Sequence, residues 1–289
     1  MHWTTDRRGF LRVAGAGFAA AAALPRFAWA AEGDTLRIRV TSDLQVLDPY
    51  GIIGELDDII PRGTQVTLVR LGDFREGNKI RNWAAESFVW TSPTEIAFTL
   101  RKGLTWTGGY GPVTTADVKF SYERIRGSDS AWAYQFEKLK EVEIVDDRRG
   151  VIRLTEAFAP FTVIALPYYG GHIVSKAAVE AVGGRYTTEI PAQCGPYLFD
   201  RWEQNQKVTL ISNPGWTGEK PAFPTVEFYI VTDDQAAQLA YEADAFDFTR
   251  VTVGGAKELK ANMPDGAALI EANSTRYVWM SINAQAETL

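Results

Sequence analysis

The chain has 289 residues, of which 46% are hydrophobic and 12% are aromatic, and its formal net charge at pH 7 is −6. This hydrophobic content excludes intrinsic disorder, and the length is sufficient for two domains. The excess of acidic side chains argues against nucleic acid as a partner, because such a partner needs a basic surface. The single cysteine, Cys194, excludes an intrachain disulfide, and we expect it to be a small buried residue.

The first thirty residues have the features of an export signal. Residues 6–12, DRRGFLR, resemble a twin-arginine motif, residues 13–23 are apolar, and Ala28-Trp29-Ala30 places small residues at a cleavage site. We predict cleavage after Ala30 and a soluble periplasmic protein. A membrane anchor is the alternative, but an apolar run of roughly a dozen residues is shorter than the ~20 needed to span a bilayer.

After this segment the chain alternates between strand and helix patterns. Apolar and charged residues alternate at 36–40, as in a half-buried strand, and an irregular loop follows at 41–50. Residues 96–100 repeat the strand pattern. Residues 141–155 predict a hairpin, with a solvated turn of charged residues at 146–150.

A capped helix is predicted after a glycine-rich turn at residues 103–112. Thr114 and Asp117 are spaced as a capping box. The residues that follow place apolar side chains on one face of the helix. These are Val118, Tyr122 and Ile125.

A second group of elements is predicted nearer the C-terminus. Residues 194–199, CGPYLF, and residues 208–214 predict neighbouring strands, and residues 221–234 predict a third. We expect a helix to follow, with its cap in Thr232 to Gln235 and both aspartates of that segment favoured by the helix dipole.

These patterns carry a resemblance to a known family. The run from Leu100 to Ile125, LRKGLTWTGGYGPVTTADVKFSYERI, resembles the signature of the peptide/nickel-type (family 5) extracellular solute-binding proteins of ABC importers. The three C-terminal strand patterns resemble a second block of the same family, in the same order. The resemblance covers Leu36 to Asn283 and departs from the family at Cys194, where Gly or Ser is usual.

The resemblance implies an α/β fold with the two-lobe architecture of periplasmic binding proteins, an inserted subdomain and a third domain that is largely missing. We expect a third-domain strand at Arg276 to Asn283, six residues before the end of the sequence. The expected domains are a twin-arginine signal peptide at 1–30, a discontinuous first domain at 31–69 and 191–275, an inserted second domain at 70–190, and the start of the third domain at 276–289.

The function implied by the resemblance is that of the periplasmic solute-binding component of an ABC importer. It would capture a peptide or similar small solute between two lobes and deliver it to the membrane permease. The expected partners are this solute, the permease, and the twin-arginine translocase during export, with no cofactor and no metal.

Three parts of the chain are candidates for ligand contact. Leu44, Gln45 and Asp48 lie in the loop after the first strand, Trp106 and Tyr110 lie on the glycine-rich turn, and Trp279 lies on the last predicted strand. The alternative for Trp106 is a core position beneath the turn. The alternative for Tyr110 is a cover over the same loop.

Catalysis has little support in the sequence, which contains no G-x-S-x-G elbow, H-E-x-x-H motif or Walker loop. Its histidines are His2, in the predicted signal, and His172. His172 could act as a general base or a nickel ligand, but no second His or Cys lies near it in the sequence. We therefore expect His172 to be a loop histidine whose ring is hydrogen-bonded to backbone groups. We predict no enzymatic activity. The alternatives to a transport receptor are a truncated interaction protein and an exported hydrolase on an unrelated α/β scaffold.

Overall fold

The computed structural model describes residues 35–72, 77 and 79–271. The predicted signal peptide and the predicted strand at 276–283, with Trp279, lie outside the described residues. No helix of the described part is long and apolar enough to cross a membrane.

The chain divides into two compact units. One unit runs from Ala28 to Arg250, and the other comprises Met1–Phe27 and Val251–Leu289. In the second unit, one helix lies in the described part, and its first turn is capped by Thr252, whose hydroxyl accepts a hydrogen bond from the amide of Gly255 at 3.0 Å.

Strands and helices alternate along the described residues, as expected for an α/β protein. The strands are β1 (Thr35–Val40), β2 (Val66–Thr67), β3 (Val69–Leu71), β4 (Ile80–Asn82), β5 (Ala85–Ser92), β6 (Glu95–Leu100), β7 (Leu139–Ile144), β8 (Arg149–Leu154), β9 (His172–Ile173), β10 (Tyr197–Glu203), β11 (Lys207–Ser212) and β12 (Thr225–Ile230). The helices are α1 (Glu55–Thr64), α2 (Thr115–Arg126), α3 (Phe161–Ile164), α4 (Lys176–Ala181), α5 (Asp234–Glu242) and α6 (Val253–Ala261).

The first sheet has the strand order β1-β12-β11-β10. Strand β1 pairs in parallel with β12, with Ile38 opposite Phe228, whereas the other two pairings are antiparallel. Residues far apart in the chain therefore form this sheet. The strand patterns predicted at 36–40, 194–199, 208–214 and 221–234 are confirmed as its members.

The second sheet has the order β5-β6-β8-β7 and is antiparallel throughout. It contains the predicted hairpin, whose turn is stabilised by Asp146. The carboxylate of Asp146 accepts hydrogen bonds from the amides of Arg148 and Arg149 at 2.9 and 2.7 Å, and these bonds lower the pKa of Asp146 to about 2. The charged residues thus organise a tight turn at the surface.

Helix α2 has the predicted cap and the predicted buried face. The amide of Thr114 donates to the carboxylate of Asp117 at 2.9 Å, which is half of the expected capping box. The apolar side chains of α2 lie in the same buried core as those of the second sheet. The fully buried residues of this core include Val118 and Tyr122 from α2 and Ile96, Phe98 and Ile152 from the second sheet.

Helix α5 is capped within the predicted segment. Asp233 is the N-cap, and its carboxylate accepts a hydrogen bond from the amide of Ala236 at 2.7 Å. A carboxylate in this position satisfies a free amide of the first turn and also interacts favourably with the helix dipole. The helix itself is confirmed.

The end of α1 and the segment just before β10 approach each other closely at Gly195. The amides of Cys194 and Gly195 both donate to the carbonyl of Thr64, at 3.0 and 2.9 Å. A Cβ atom on Gly195 would lie 2.2 Å from the carbonyl oxygen of Gly63. Cys194 is buried as expected, and burial raises the pKa of its thiol.

We predict that Gly195→Ala lowers the free energy of unfolding by at least about 2 kcal/mol, because the backbone must move to admit the methyl group. Gly127→Ala is the control, since its Cβ would be 3.5 Å from the nearest atom and its φ is negative. Urea unfolding measures both variants. Equal stability of the Gly195 variant and the native protein would contradict the close approach.

Candidate ligand-binding site

The loop between β1 and α1, residues 41–54, is held in place by a buried carboxylate. Asp57 lies in the first turn of α1 and is fully buried. One of its oxygens accepts from two amides at the start of the loop, and the other accepts from two amides at its end. The donors are Gln45 (2.7 Å), Val46 (3.2 Å), Ile53 (3.2 Å) and Gly54 (2.8 Å).

A second buried carboxylate, Asp48, ties the middle of loop 41–54 to the rest of the unit. Its side chain forms a bidentate ion pair with Arg124 of α2, at 2.9 and 2.8 Å. It also accepts hydrogen bonds from the amides of Tyr50 and Tyr186, both at 3.0 Å. Since these four donors occupy both oxygens, the carboxylate predicted to contact a ligand is engaged within the protein.

The other predicted loop residues differ in exposure. Leu44 is buried in the core, whereas the side chain of Gln45 is exposed. Asp43, which was not a candidate, joins the loop to the turn after β10, because it accepts from the indole nitrogen of Trp202 at 2.9 Å and from the amide of Asn205 at 2.7 Å. Gln45 is therefore the predicted loop residue that remains available at the surface.

The glycine-rich turn uses its two predicted aromatic residues differently. Trp106 is only 3% exposed, and its indole nitrogen donates to Asp117 at 3.2 Å, so it supports the turn from the core side. Tyr110 is half-buried beside Gly108, which has a φ of 68°. A Cβ atom on Gly108 would lie 2.6 Å from the carbonyl oxygen of Pro191, which explains the glycine.

Tyr186 connects two of the candidate regions. Its ring is buried, burial raises the pKa of its phenol, and the charge of Asp48 raises this pKa further. Tyr110 of the glycine-rich turn raises this pKa as well. Asp48 is hydrogen-bonded to the amide of Tyr186, Tyr110 acts on the phenol of the same residue, and Trp279 lies outside the described residues.

Next to loop 41–54 is an aromatic surface that the sequence interpretation did not include. We use this name for Trp132, Tyr134, Tyr168 and Tyr169. The Trp132 and Tyr169 rings lie 4.0 Å apart, Trp132 and Tyr134 lie 6.5 Å apart, and Tyr168 and Tyr169 lie 6.0 Å apart. The sequence could have indicated this surface, because residues 132–134, WAY, and residues 168–169, YY, place two aromatic pairs in segments without helix or strand periodicity.

The aromatic surface is attached to loop 41–54 through hydrogen bonds. The indole nitrogen of Trp132 donates to the carbonyl of Ile52 at 2.8 Å, and the hydroxyl of Ser130 donates to the carbonyl of Tyr50 at 2.6 Å. The adjacent Ile53 side chain is 74% exposed, and Tyr134 is 63% exposed. Apolar groups of this size at an open surface are suited to binding a solute by desolvation.

Charged groups flank this surface at Tyr50. The guanidinium groups of Arg124 and Arg185 lie 4.8 and 4.6 Å from the centre of the Tyr50 ring. The Tyr50 hydroxyl donates to Asp129, which lowers the pKa of that carboxyl group. The site therefore combines aromatic faces, an exposed amide and charges of both signs, which are features of a binding site for a polar organic molecule.

His172 does not have the predicted environment. It lies in β9 rather than in a loop, it is buried, and within the described residues neither ring nitrogen has a hydrogen-bond partner. The expectation of a loop histidine with backbone partners is therefore wrong. Burial, with an additional contribution from the charge of Arg62, lowers the pKa of His172 to about 3. The described residues contain no cluster of three or more metal-ligating side chains.

We predict that the buried neutral His172 makes stability depend on pH. Below pH 6.5 the unfolded chain binds a proton that the folded protein accepts only near pH 3, so stability falls as pH decreases through this window. Between pH 7 and pH 5 the loss should be about 2 kcal/mol.

Urea unfolding at the two pH values measures this loss, with His172→Phe as the comparison. Apart from His2 the sequence has no other histidine, so the variant should lose most of the dependence between pH 5 and 7. An unchanged dependence in the variant would show that other groups cause it.

Comparison with known proteins places these features in context. The family model described as bacterial extracellular solute-binding proteins, family 5 Middle, matches residues 79–289. The chain is 28% identical over 217 residues to the probable D,D-dipeptide-binding periplasmic protein DdpA of Escherichia coli, and 26% identical over 259 residues to the periplasmic oligopeptide-binding protein OppA of Salmonella typhimurium. These alignments cover 71% and 80% of this chain but 41% and 46% of the relatives.

Solved structures give the same relationship. The chain is similar to MoaA of A. tumefacien R10, solved with mannopinic acid, with a TM-score of 0.72 and 26% identity over 80% of this chain and 48% of MoaA. It also has the fold of the murein tripeptide-binding protein MppA of Escherichia coli, with a TM-score of 0.71 and 22% identity over 81% of this chain and 49% of MppA. The chain thus spans less than half the length of each of these four relatives. The expected fold class is confirmed.

Proposed function

This chain belongs to the bacterial extracellular solute-binding proteins of family 5, and we propose that it forms part of the solute-binding component of an ABC importer. The proposed ligand is a peptide or a similar small solute, and the proposed location is the periplasm. Relatives named as periplasmic dipeptide- and oligopeptide-binding proteins support this assignment. They do not favour the alternatives of a non-transporting interaction protein or an exported hydrolase.

The observation that carries the proposal is the fixed loop 41–54 beside the aromatic surface. Four amide hydrogen bonds to Asp57 hold the two ends of the loop through contacts within the protein itself, so little ordering is required when a solute arrives. We propose that Gln45, Ile53 and the aromatic surface contact the solute directly. Leu44, Asp48 and Trp106 contribute by supporting the backbone from beneath, and Tyr110 borders the same region.

The proposal for the whole protein includes features outside the described residues. Residues 1–30 act as a twin-arginine signal recognised by the translocase, and Trp279 is a further candidate for ligand contact. The first domain is discontinuous, with residues 31–69 and 191–275, and residues 70–190 form the inserted domain. The membrane permease of the importer receives the solute. No cofactor takes part, and no enzymatic step is proposed.

The proposed solute contact is tested by comparing one isoleucine and one leucine whose side chains are similarly exposed. Ile53 is 74% exposed beside the aromatic surface, whereas Leu239 is 67% exposed on α5. If a solute covers Ile53, Ile53→Ala removes about 1–2 kcal/mol of apolar burial, which weakens binding about tenfold. Leu239→Ala should leave the affinity unchanged.

Calorimetric titration of the full-length protein with a defined set of di-, tri- and tetrapeptides provides the measurement, together with mass analysis of any solute that co-purifies. Equal affinities of the Ile53 variant and the native protein would place the solute elsewhere. If no peptide binds and no solute co-purifies, the proposed receptor function is wrong.

A further inference from the structure

A second polar and aromatic cluster lies outside the proposed solute site. It consists of Arg70, Trp83, Arg101 and Trp216, and we call it the arginine–tryptophan cluster. The Arg70 guanidinium lies 3.8 Å from the centre of the Trp83 ring, and the Arg101 guanidinium lies 5.7 Å from Trp83 and 5.2 Å from Trp216. The two indole rings are 5.2 Å apart.

Backbone hydrogen bonds place the members of this cluster. The amide of Trp83 donates to the carbonyl of Leu68 at 2.9 Å, next to β3, and the amide of Arg101, after β6, donates to the carbonyl of Ala84 at 2.9 Å. Trp216 is fixed in its loop by its indole nitrogen, which donates to the carbonyl of Glu219 at 3.1 Å. The cluster is therefore built on ordered segments of the described chain.

Within the described residues no salt bridge joins a carboxylate to either guanidinium of the cluster, although the charge of Glu219 acts on Arg70. The Nε and Nη2 atoms of Arg101 are sealed from solvent and have no hydrogen-bond partner. Arg70 is exposed, and no described carboxylate lies within ion-pair distance of its guanidinium. A buried guanidinium edge with no acceptor is costly, since its donors lose water without gaining a partner.

The pKa shifts of the two arginines are consistent with the lack of salt bridges from the cluster to the described carboxylates. Arg70 is exposed as a whole, but its guanidinium is partly desolvated where it stacks on Trp83, and this lowers the pKa of Arg70. The positive charge of Arg81 lowers this pKa further, and Glu219 opposes both effects. Burial lowers the pKa of Arg101, and the charge of Arg70 lowers it further. The two guanidinium groups thus repel each other in a protein whose overall charge is negative.

We infer that the arginine–tryptophan cluster binds an oxyanion, namely a carboxylate or a phosphate group. The exposed Arg70 is the first contact, because no hydrogen bond or ion pair within the described residues fixes its guanidinium over Trp83. The second contact is the Nε and Nη2 edge of Arg101, which the anion reaches when the side chains that seal this edge move. That edge presents two parallel N–H donors, which match two oxygens of one carboxylate or phosphate group.

The indole N–H resonances of the two tryptophans can report the binding of an oxyanion to the cluster. In the full-length protein labelled with nitrogen-15, the indole resonances of Trp83 and Trp216 are assigned from single Trp→Phe variants. Sodium phosphate and sodium acetate are then titrated separately, against sodium chloride at the same ionic strength. At least one oxyanion should shift both resonances saturably at millimolar concentration, and comparison of the two identifies the preferred group.

Three variants decide whether the arginines are responsible. Arg70→Gln, at an exposed position, should weaken the oxyanion response at least fivefold, and Arg101→Gln should abolish it. Arg149→Gln is the matched control, since the Arg149 side chain is 64% exposed at the start of β8. The inference is overturned if neither oxyanion shifts the two resonances, if chloride shifts them equally, or if Arg70→Gln responds like the native protein.

Discussion

The buried carboxylate of Asp57 is the interaction on which the candidate site depends. A carboxylate removed from water is costly unless hydrogen bonds replace its hydration, and here four backbone amides of loop 41–54 do so. Its place in the first turn of α1 adds the favourable field of the helix dipole. The loop and the helix are therefore fixed relative to each other, and through α1 the loop is joined to the first sheet.

The consequence for binding is preorganisation. Asp48 holds the middle of the loop against α2 through Arg124, so neither end nor centre is free to move independently. Side chains that point away from these two carboxylates, such as Gln45 and Ile53, are left at the surface. The hydrogen bonds of Trp132 and Ser130 bring the aromatic surface to the same place. A solute then meets a formed surface, which reduces the entropy lost on binding.

Features determined by local sequence were predictable. The alternation at 36–40, the capping pair Thr114 and Asp117, and the hairpin at 141–155 depend on near neighbours, and each was confirmed. The family resemblance was also carried by short local runs. Long-range pairing had no such signal, since nothing near Thr35–Val40 indicates that β1 lies parallel to β12.

The contacts of individual side chains were less predictable than the positions of helices and strands. The sequence placed Asp48 and Trp106 in the right region but could not show that an arginine from α2 occupies the carboxylate, or that the indole supports the turn from the core side. His172 was misplaced because its burial arises from contacts between distant segments. The aromatic surface was missed because its four rings come from two separate segments, and only the fold brings them together.

Asp57 gives loop 41–54 its rigidity, and hydrogen exchange of the amides of Gln45, Val46, Ile53 and Gly54 measures this rigidity directly. Asp57→Asn replaces two of the acceptor positions by an amide donor, whereas Asp58→Asn, one residue later, leaves these bonds intact. We expect all four amides to be protected in the native protein and in Asp58→Asn, and to exchange rapidly in Asp57→Asn while β6 and β8 remain protected. Equal protection of the four amides in Asp57→Asn would show that Asp57 does not hold the loop in place.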